Sequence, residues 1–514
     1  MARPGVVYLV GAGPGDPGLI TRRGAELLAQ ADVIVHDHLA SARLLELAPP
    51  SAEVYCVGKS SGHCTMSQES IEQLLIDHAR LGKRVVRLKG GDPLVFGRGA
   101  EEAASLRTAG IRHEIVPGVT AGVGATAYAG IPVTHRSVAS AAAFVTGHAD
   151  PDAPVGPGSL DWHALARFPG TLVIYMGVTH LESICKTLID HGRPRDEPAA
   201  VIEWGSTPRQ RTQVATLATL AESAREMRLA PPALLVVGAV AALRDELAWF
   251  EHRPLFGQRI VVTRPNNEAA RARVDLEELG AEVLLAPTVL IQPIADVRPL
   301  DAAIERIHEY DWIVFASANG VTHFLERLFE RGLDARALGT AKIAAIGPAT
   351  ARALESFHLR PDLVPDDFRS EGLAEALRER SRGGKVLLLR ADRGRDVLER
   401  ELGQAAEVDL VAVYQNLNAP SLPDDVVSGI MAGAIDWVTL TSSAIAGRFI
   451  ELLPEAARAR LGDPVRLASL SSITSETVRR LGFAPHAEAA EPTWPGLVQA
   501  LVEAVSRERS SGRV

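Results

Sequence analysis

The sequence predicts an α/β protein built from mostly parallel sheets, in more than one domain. Three observations predict it. Short β-branched runs alternate with longer amphipathic segments throughout, as at Val6–Val10, Val33–His36, Arg84–Leu88, Thr171–Met176, Ile260–Thr263, Trp312–Phe315 and Val386–Leu389. The 514 residues exceed what one hydrophobic core organises, so about two to four domains are expected. The second half also repeats itself. "DWIVFASANGVTHFLERL" from Asp311 returns as "DWVTLTSSAIAGRFIELL" from Asp436, "KIAAIGPATARAL" from Lys342 as "RLASLSSITSETV" from Arg466, and "AEVLLAPTV" from Ala281 as "AEVDLVAVY" from Ala406. A repeat of that length describes a whole α/β lobe, not a solenoid unit.

The first run, Val6–Val10, feeds "VGAGPGDPGLIT" (Val10–Thr21), which reads as a strand entering a glycine-rich turn. A dinucleotide loop needs G-x-G-x-x-G. Gly11 and Gly13 fit, but Asp16 holds the third position, and Pro14 and Pro17 remove backbone donors that would cradle a pyrophosphate. No Gly-Lys-Ser/Thr follows, so the phosphate-binding loop pattern also fails. Two readings stay open for this segment, a plain strand-to-helix turn and a nucleotide site of another kind. Further turns of the same character follow at "RLKGGDPLVFGRGAEE" (Arg87–Glu102), "VPGVTAGVGATAYAGIPVTHR" (Val116–Arg136), "VIYMGV" (Val173–Val178) and "VIEWGSTPRQR" (Val201–Arg211). Five strand ends carrying glycine, proline and small polar residues predict one crevice at the carboxyl edges of the strands, where backbone can approach a flat ligand.

Two stretches read as connectors. Gly147–Asp161 is rich in proline, glycine and aspartate, the composition of a surface loop, and Glu251–Pro265 lies between a helical pattern and a fresh strand. The main boundary is placed near Arg253–Gly257.

The net charge is −9, and both halves carry more acidic than basic residues, which argues against a nucleic-acid partner. Three cysteines, Cys56, Cys64 and Cys185, form no C-x-x-C pair; the sparse, odd count suits a reducing cytoplasm. The sequence shows neither a signal peptide nor an apolar run long enough for a bilayer, so a cytoplasmic location is expected. His36, His38, His63 and Cys64 match no zinc spacing, and no metal is expected.

Taken together, "VGAGPGDPGLIT", "VIVHDHLAS", "VGKSSGH", "KGGDPLVFGRGAEE", "PGVTAGVGATAYAGIPVTHR", "YMG" and "GSTPRQ" run in family order, and residues 5–250 resemble the uroporphyrinogen-III C-methyltransferases of the tetrapyrrole methylase fold. Residues 257–514 resemble uroporphyrinogen-III synthase through "VVTRP", "DWIVFASANGV", "AAIGPATARAL", "VAVYQ", "PTWPGLVQAL" and the duplicated layout. The resemblance implies a two-lobed methylase domain over 1–252, with lobes roughly 1–115 and 116–252, followed by a two-lobed α/β synthase domain over 257–514 with internal duplication. It also implies a homodimer through the methylase half. The synthase product is the methyltransferase substrate, so the two resemblances support each other.

The implied chemistry is closure of hydroxymethylbilane to uroporphyrinogen III, then two methylations from S-adenosylmethionine giving precorrin-2. The implied cofactor positions are Pro14, Gly90, Gly91, Asp92, Val95, Thr120, Ala121, Met176 and Gly205. Asp92 would accept hydrogen bonds from a ligand hydroxyl or amine, Thr120 would cap a helix, and Met176 reads equally well as core filler. Asp37 is implied as proton acceptor and Lys59 as proton donor or carboxylate partner, against the plainer readings of a turn aspartate and a surface lysine. Ser60 and Ser61 follow Lys59 where an arginine is common among relatives. Arg98, Arg136 and Arg209 are candidate clamps for substrate carboxylates, or ordinary surface arginines. In the synthase half Tyr414 is the implied proton donor, or an aromatic on a strand. Ser317, Asn319, Thr350, Thr441, Ser442 and Thr474 are placed at strand–helix turns, where hydroxyls and amides would hold carboxylates. A later cobalamin-precursor methylase joined to a degenerate synthase-like binding domain is the alternative.

Overall fold

The computed structural model describes residues 5–58, 66–148, 159–393 and 396–511. The chain forms two compact units, residues 1–258 with Leu276–Glu282, and Arg259–Asp275 with Val283–Val514.

The first unit holds two five-stranded sheets. Strands β1 (Val6–Gly11), β2 (Val33–His36), β3 (Glu53–Cys56), β4 (Arg84–Lys89) and β5 (Arg112–Val116) lie in the order β3-β2-β4-β1-β5 with every pairing parallel. The period of two sorts their side chains. Val7, Leu9, Val33, Val35 and Val85 enter one core, and Val10, Ile34, Val86 and Leu88 enter the core on the opposite face. Burial on both faces is why these strands read as near-continuous apolar runs.

The second sheet comprises β6 (Ala142–Thr146), β7 (Thr171–Tyr175), β8 (Pro198–Glu203), β9 (Arg211–Thr216) and β10 (Ala233–Val237), ordered β6-β7-β10-β8-β9. Only β6–β7 is parallel. The pairs β7–β10, β10–β8 and β8–β9 are antiparallel, which corrects the expectation of mostly parallel sheets for this lobe. For β8–β9 the reason is local: the link from Glu203 to Arg211 is too short for the helical crossover that parallel neighbours need.

The second unit also holds two sheets, made of β11 (Arg259–Val262), β12 (Glu282–Leu285), β13 (Val289–Pro293), β14 (Trp312–Phe315), β15 (Lys342–Ala345), β16 (Lys385–Ala391), β17 (Glu407–Asn418), β18 (Trp437–Leu440), β19 (Arg466–Ser469) and β20 (Ala487–Glu488). Their orders are β12-β11-β18-β19-β20 and β13-β17-β16-β14-β15. The repeated sequences occupy equivalent places, β14 with β18, β15 with β19, and β12 with β17. The lobes are therefore not consecutive along the chain. The chain starts one sheet with β11 and β12, builds the other from β13 to β17, and returns to complete the first. β14 and β18 are each fully buried and each lead to a helix capped by serine, at Ser317 and Ser442.

Candidate functional site

The carboxyl edge of the first sheet is assembled by glycines that touch backbone to backbone. Gly13 and Gly91 exchange hydrogen bonds, Gly13 N to Gly91 O at 3.2 Å and Gly91 N to Gly13 O at 2.8 Å. A Cβ on Gly118 would sit 2.2 Å from Gly91 O and 2.7 Å from Gly11 Cα. The ends of β1, β4 and β5 thus meet without side chains between them. Helix Ala121–Tyr128 is packed as closely: a Cβ on Gly124 would lie 2.6 Å from Pro14 Cγ, and one on Gly205 would lie 2.3 Å from Ala125 Cβ. Pro14, Gly91, Thr120, Ala121 and Gly205 are therefore brought together.

Gly90 and Gly91 are different. A Cβ on Gly90 would meet only Leu39 at 3.5 Å, and one on Gly91 would be no nearer than 3.8 Å to Thr120 and Ala121. Gly91 also has φ +68, a conformation that favours glycine. This pair forms a cradle lined by backbone. Val95 is half-buried in the turn that follows. Met176 directly follows β7 with φ 56 and 49% of its surface exposed, so the core-filler reading is corrected.

The Asp92 carboxylate organises the loop: Oδ1 accepts from Leu94 N at 2.8 Å and Oδ2 from Gly118 N at 3.0 Å. Thr120 is the N-cap residue of its helix, but its side chain makes no capping bond, a correction to the expected role. Its Oγ1 lies 2.7 Å from Tyr175 Oη, which accepts from Gly122 N at 2.7 Å. Burial raises the Tyr175 pKa, with those two hydrogen bonds opposing it.

Asp37 closes β2 at the same edge. Its Oδ1 accepts from Arg87 Nη2 at 2.5 Å and its Oδ2 from Gly90 N at 3.4 Å. Behind it lies an ion cluster that the motif reading missed. Glu102 Oε1 accepts from Arg87 Nε at 3.2 Å and Lys89 Nζ at 2.8 Å, and the three side chains are 0–3% exposed. The signal was present in "RLK": Arg87 and Lys89, two apart, share one face of a strand whose neighbours are apolar.

Lys59, with Ser60 and Ser61, lies outside the described residues, as do His63, Cys64 and most of the Gly147–Asp161 stretch. His36 Nδ1 is 3.0 Å from the Asp37 carbonyl. Arg136 is exposed. Arg98 and Arg209 are engaged within the fold, Arg98 with Glu101 at 2.6 Å and Arg209 bidentately with Glu282 at 2.5 and 2.7 Å. A substrate carboxylate would have to displace those partners.

In the second unit Tyr414 and Ser317 meet. Tyr414, on β17, is 6% exposed, and its Oη lies 3.1 Å from Ser317 Oγ. Ser317 Oγ also accepts from Gly320 N at 3.0 Å as the cap of helix Ala318–Glu330. The His323 ring stacks on Tyr414 at 5.7 Å; burial lowers the His323 pKa, with Glu326 opposing. Asn319 accepts from Asn267. Ser442 caps its helix by accepting from Ile445 N at 3.2 Å, with half-buried Thr441 before it. Thr350 and Thr474 are not turn residues. Each lies inside a helix and is buried, and the caps are Gly347 and Ser471. The sequence reading missed the cap because "LSSITSETV" offers several adjacent hydroxyls.

No helix among the described residues is long and apolar enough to cross a membrane. The family of tetrapyrrole (corrin/porphyrin) methylases matches residues 6–221, and that of uroporphyrinogen-III synthase HemD matches residues 270–499. The chain is 41% identical over 448 residues to the porphyrin biosynthesis protein HemD of Ruminiclostridium josui, covering 87% of this chain and 88% of that protein. It is 41% identical over 352 residues to the uroporphyrinogen-III C-methyltransferase of Bacillus subtilis (strain 168), covering 68% and 71%. A crystal structure of uroporphyrin-III C-methyl transferase from Thermus thermophilus, complexed with S-adenyl homocysteine, shares 44% identity over 46% of this chain and 100% of that one, with a TM-score of 0.40. The resemblances read from the motifs hold in both halves, and the chain belongs to the family of porphyrin biosynthesis enzymes that join a tetrapyrrole methylase to a uroporphyrinogen-III synthase.

Proposed function

We infer that the chain performs consecutive reactions, cyclising hydroxymethylbilane to uroporphyrinogen III and methylating that macrocycle at C2 and C7 to give precorrin-2. The observation that carries the reading is one relative of the same family aligned across 87% of the chain, so that both regions share one polypeptide. A methylase acting on the product of its own partner domain is the economical assignment.

The cofactor of this reading is S-adenosylmethionine, held by Pro14, Gly90, Gly91, Asp92, Val95, Thr120, Ala121, Met176 and Gly205. The fit rests on the cradle at Gly90 and Gly91, whose missing side chains leave backbone facing a gap of the kind a flat ligand needs. When bound, this cofactor supplies an electrophilic methyl on a sulfonium sulfur. Asp37 accepts the proton released as the pyrrole carbon is alkylated, and Arg87 orients the carboxylate. Lys59 is assigned the complementary donor role. Arg98, Arg136 and Arg209 are assigned to substrate carboxylates, with Arg98 and Arg209 exchanging their present partners on binding.

In the synthase half, Tyr414 donates a proton to the departing hydroxyl of the bilane, which leaves as water and gives an azafulvene cation for ring closure. Ser317 orients that phenol. Asn319, Thr441 and Ser442 hold substrate carboxylates beside helix N-termini. Thr350 and Thr474, being buried, support helices Pro348–Ser356 and Ser472–Arg480 from within. The methylase resemblance further implies a homodimer, and a native mass near twice the 54.8 kDa of one chain is the expected result.

The test is anaerobic incubation of the full chain with hydroxymethylbilane, with and without S-adenosylmethionine, read by mass spectrometry and isomer analysis. The expected result is the type III macrocycle alone, and two added methyls with the cofactor. Type I isomer only would overturn the synthase reading. Uroporphyrinogen III supplied directly and left unmethylated would overturn the methylase reading.

A further inference from the structure

We propose that Lys89 and Glu102 are positioning residues for methyl transfer: their buried ion pair holds Arg87 against Asp37 and sets the charge that the Asp37 carboxylate faces. The inference rests on the reading of Asp37 as the base.

The geometry is that of a fixed chain of charges. Arg87 donates through Nε to Glu102, through Nη2 to Asp37, and through Nη1 to the carbonyls of Val35 at 3.3 Å and Leu88 at 3.4 Å. Its guanidinium therefore cannot turn without losing several bonds. Glu102 Oε1 takes Arg87, Lys89 and, at 3.4 Å, Gln68 Nε2. Glu102 Oε2 is buried with no hydrogen-bond partner among the described residues. Only Asp37 reaches toward solvent, with 31% of its side chain exposed against 0–3% for the other three.

A buried ion cluster of this kind is a poor way to stabilise a fold, because desolvation offsets most of the attraction and apolar side chains of similar size do as well or better. Here two cations and one anion, Arg87, Lys89 and Glu102, are buried, and the charge they face at the crevice is the partly exposed Asp37 carboxylate. Burial holds the Lys89 ammonium below the ordinary lysine value; Arg87 acts in the same direction, and Glu102 and Asp37 oppose it. Among the described residues, other charged groups near the cluster include Glu72, which accepts from Gln68 and Ser105, Glu101, whose carboxylate feels the Lys89 charge, and His36, whose ring meets the Asp37 carbonyl.

The arrangement gives opposite signs for the two members of the pair. Lys89→Met removes a positive charge from behind Asp37. Glu102→Gln removes a negative charge from the same place. The experiment measures kcat/KM for methylation of uroporphyrinogen III against pH in the full chain. Thermal unfolding and binding of S-adenosylhomocysteine serve as folding controls. The acid limb is expected to move up by about half a pH unit or more in Lys89→Met, and down by a similar amount in Glu102→Gln. It should return close to the parent position in the double variant, which keeps the net charge, and in Lys89→Arg. If Lys89→Met does not fold, Glu102→Gln, nearly isosteric, and the double variant decide the matter. A uniform loss of rate with an unmoved limb would overturn the proposal and leave the pair a structural one. Asp37→Asn separates the two readings. Retained methylation in that variant overturns Asp37 as base; loss of methylation there, with unmoved limbs in the pair variants, overturns only the present inference.

Discussion

The Tyr128 hydroxyl donates to Asp16 Oδ2 at 2.6 Å, across 112 positions of sequence. Asp16 is the residue that stands where a dinucleotide loop would have glycine. Its Oδ1 accepts from Gly18 N at 2.7 Å, and its own N–H donates to Ser206 Oγ at 3.3 Å. The glycine loop is thereby fastened to helix Ala121–Tyr128 and to the turn after β8. Burial pushes the Tyr128 phenol well above its ordinary value, and the bond to Asp16 adds to the effect.

Tyr128→Phe removes that donor and leaves a partly buried carboxylate one bond short. The urea transition of the first unit is expected to lose about 1–2 kcal/mol. Affinity for S-adenosylhomocysteine, measured by calorimetry, should fall as the Pro14 loop loosens. An unchanged transition would mean that water replaces the phenol without loss.

Two glycines predict opposite outcomes. Gly118→Ala forces a methyl into the Gly91 carbonyl and the Gly11 Cα, where backbone has no room to move. A loss of about 3 kcal/mol is expected, at the upper end for overpacking, together with loss of cofactor binding. Gly447 sits inside helix Ser443–Leu452 with nothing within 4 Å of a Cβ. Gly447→Ala should raise the stability of the second unit by about 0.5–1 kcal/mol through helix propensity. Parallel urea titrations of both variants check the pair.

Much of this architecture is legible in the sequence. β2 and β14 run where their β-branched stretches do, and the strand-end glycines converge because each marks a backbone crossing. The repeat is visible because β14, between β16 and β15, and β18, between β11 and β19, hold equivalent places in their sheets. What escaped was set by tertiary context. The direction of β8 and β9 depends on a link length, not on the strands. Thr474 was misplaced by three positions because a cap is defined by which hydroxyl meets a free amide, and neighbouring hydroxyls look alike in sequence; Thr350 lies as far inside a helix that starts at Gly347 with no side-chain cap. The Arg87–Glu102–Lys89 cluster is hidden because charges read as surface until a fold buries them together.

Cys185 gives a pH dependence with a definite sign. It is buried in the core of the second sheet, and burial pushes its thiol up to about 12 from an ordinary value near 9. The folded state keeps a proton that the unfolded chain releases first. This contribution to stability is complete below about pH 9 and is lost as pH rises toward 12. Thermal unfolding of the parent should therefore fall more steeply above pH 9 than that of Cys185→Ala, although the variant is less stable at neutral pH from the lost packing. Iodoacetamide at pH 8 should label exposed Cys56 in the native chain and reach Cys185 only after denaturant, as read by peptide mass mapping.

Ser317 does two things at once, and a matched pair of variants separates them. Its Oγ caps helix Ala318–Glu330 through Gly320 N and also holds the Tyr414 hydroxyl. Ser471 caps helix Ser472–Arg480 through Thr474 N at 3.4 Å and makes no contact with Tyr414. Loss of either cap should destabilise the second unit by about 1 kcal/mol. Conversion of hydroxymethylbilane to the type III macrocycle should slow at least about tenfold in Ser317→Ala, the scale of one lost orienting hydrogen bond. Ser471→Ala should slow it far less at a similar unfolding midpoint, and Ser317→Thr should recover much of the rate by keeping the hydroxyl. Equal rates in Ser317→Ala and Ser471→Ala would reduce Ser317 to a cap and leave Tyr414 oriented by its stacking on His323 alone.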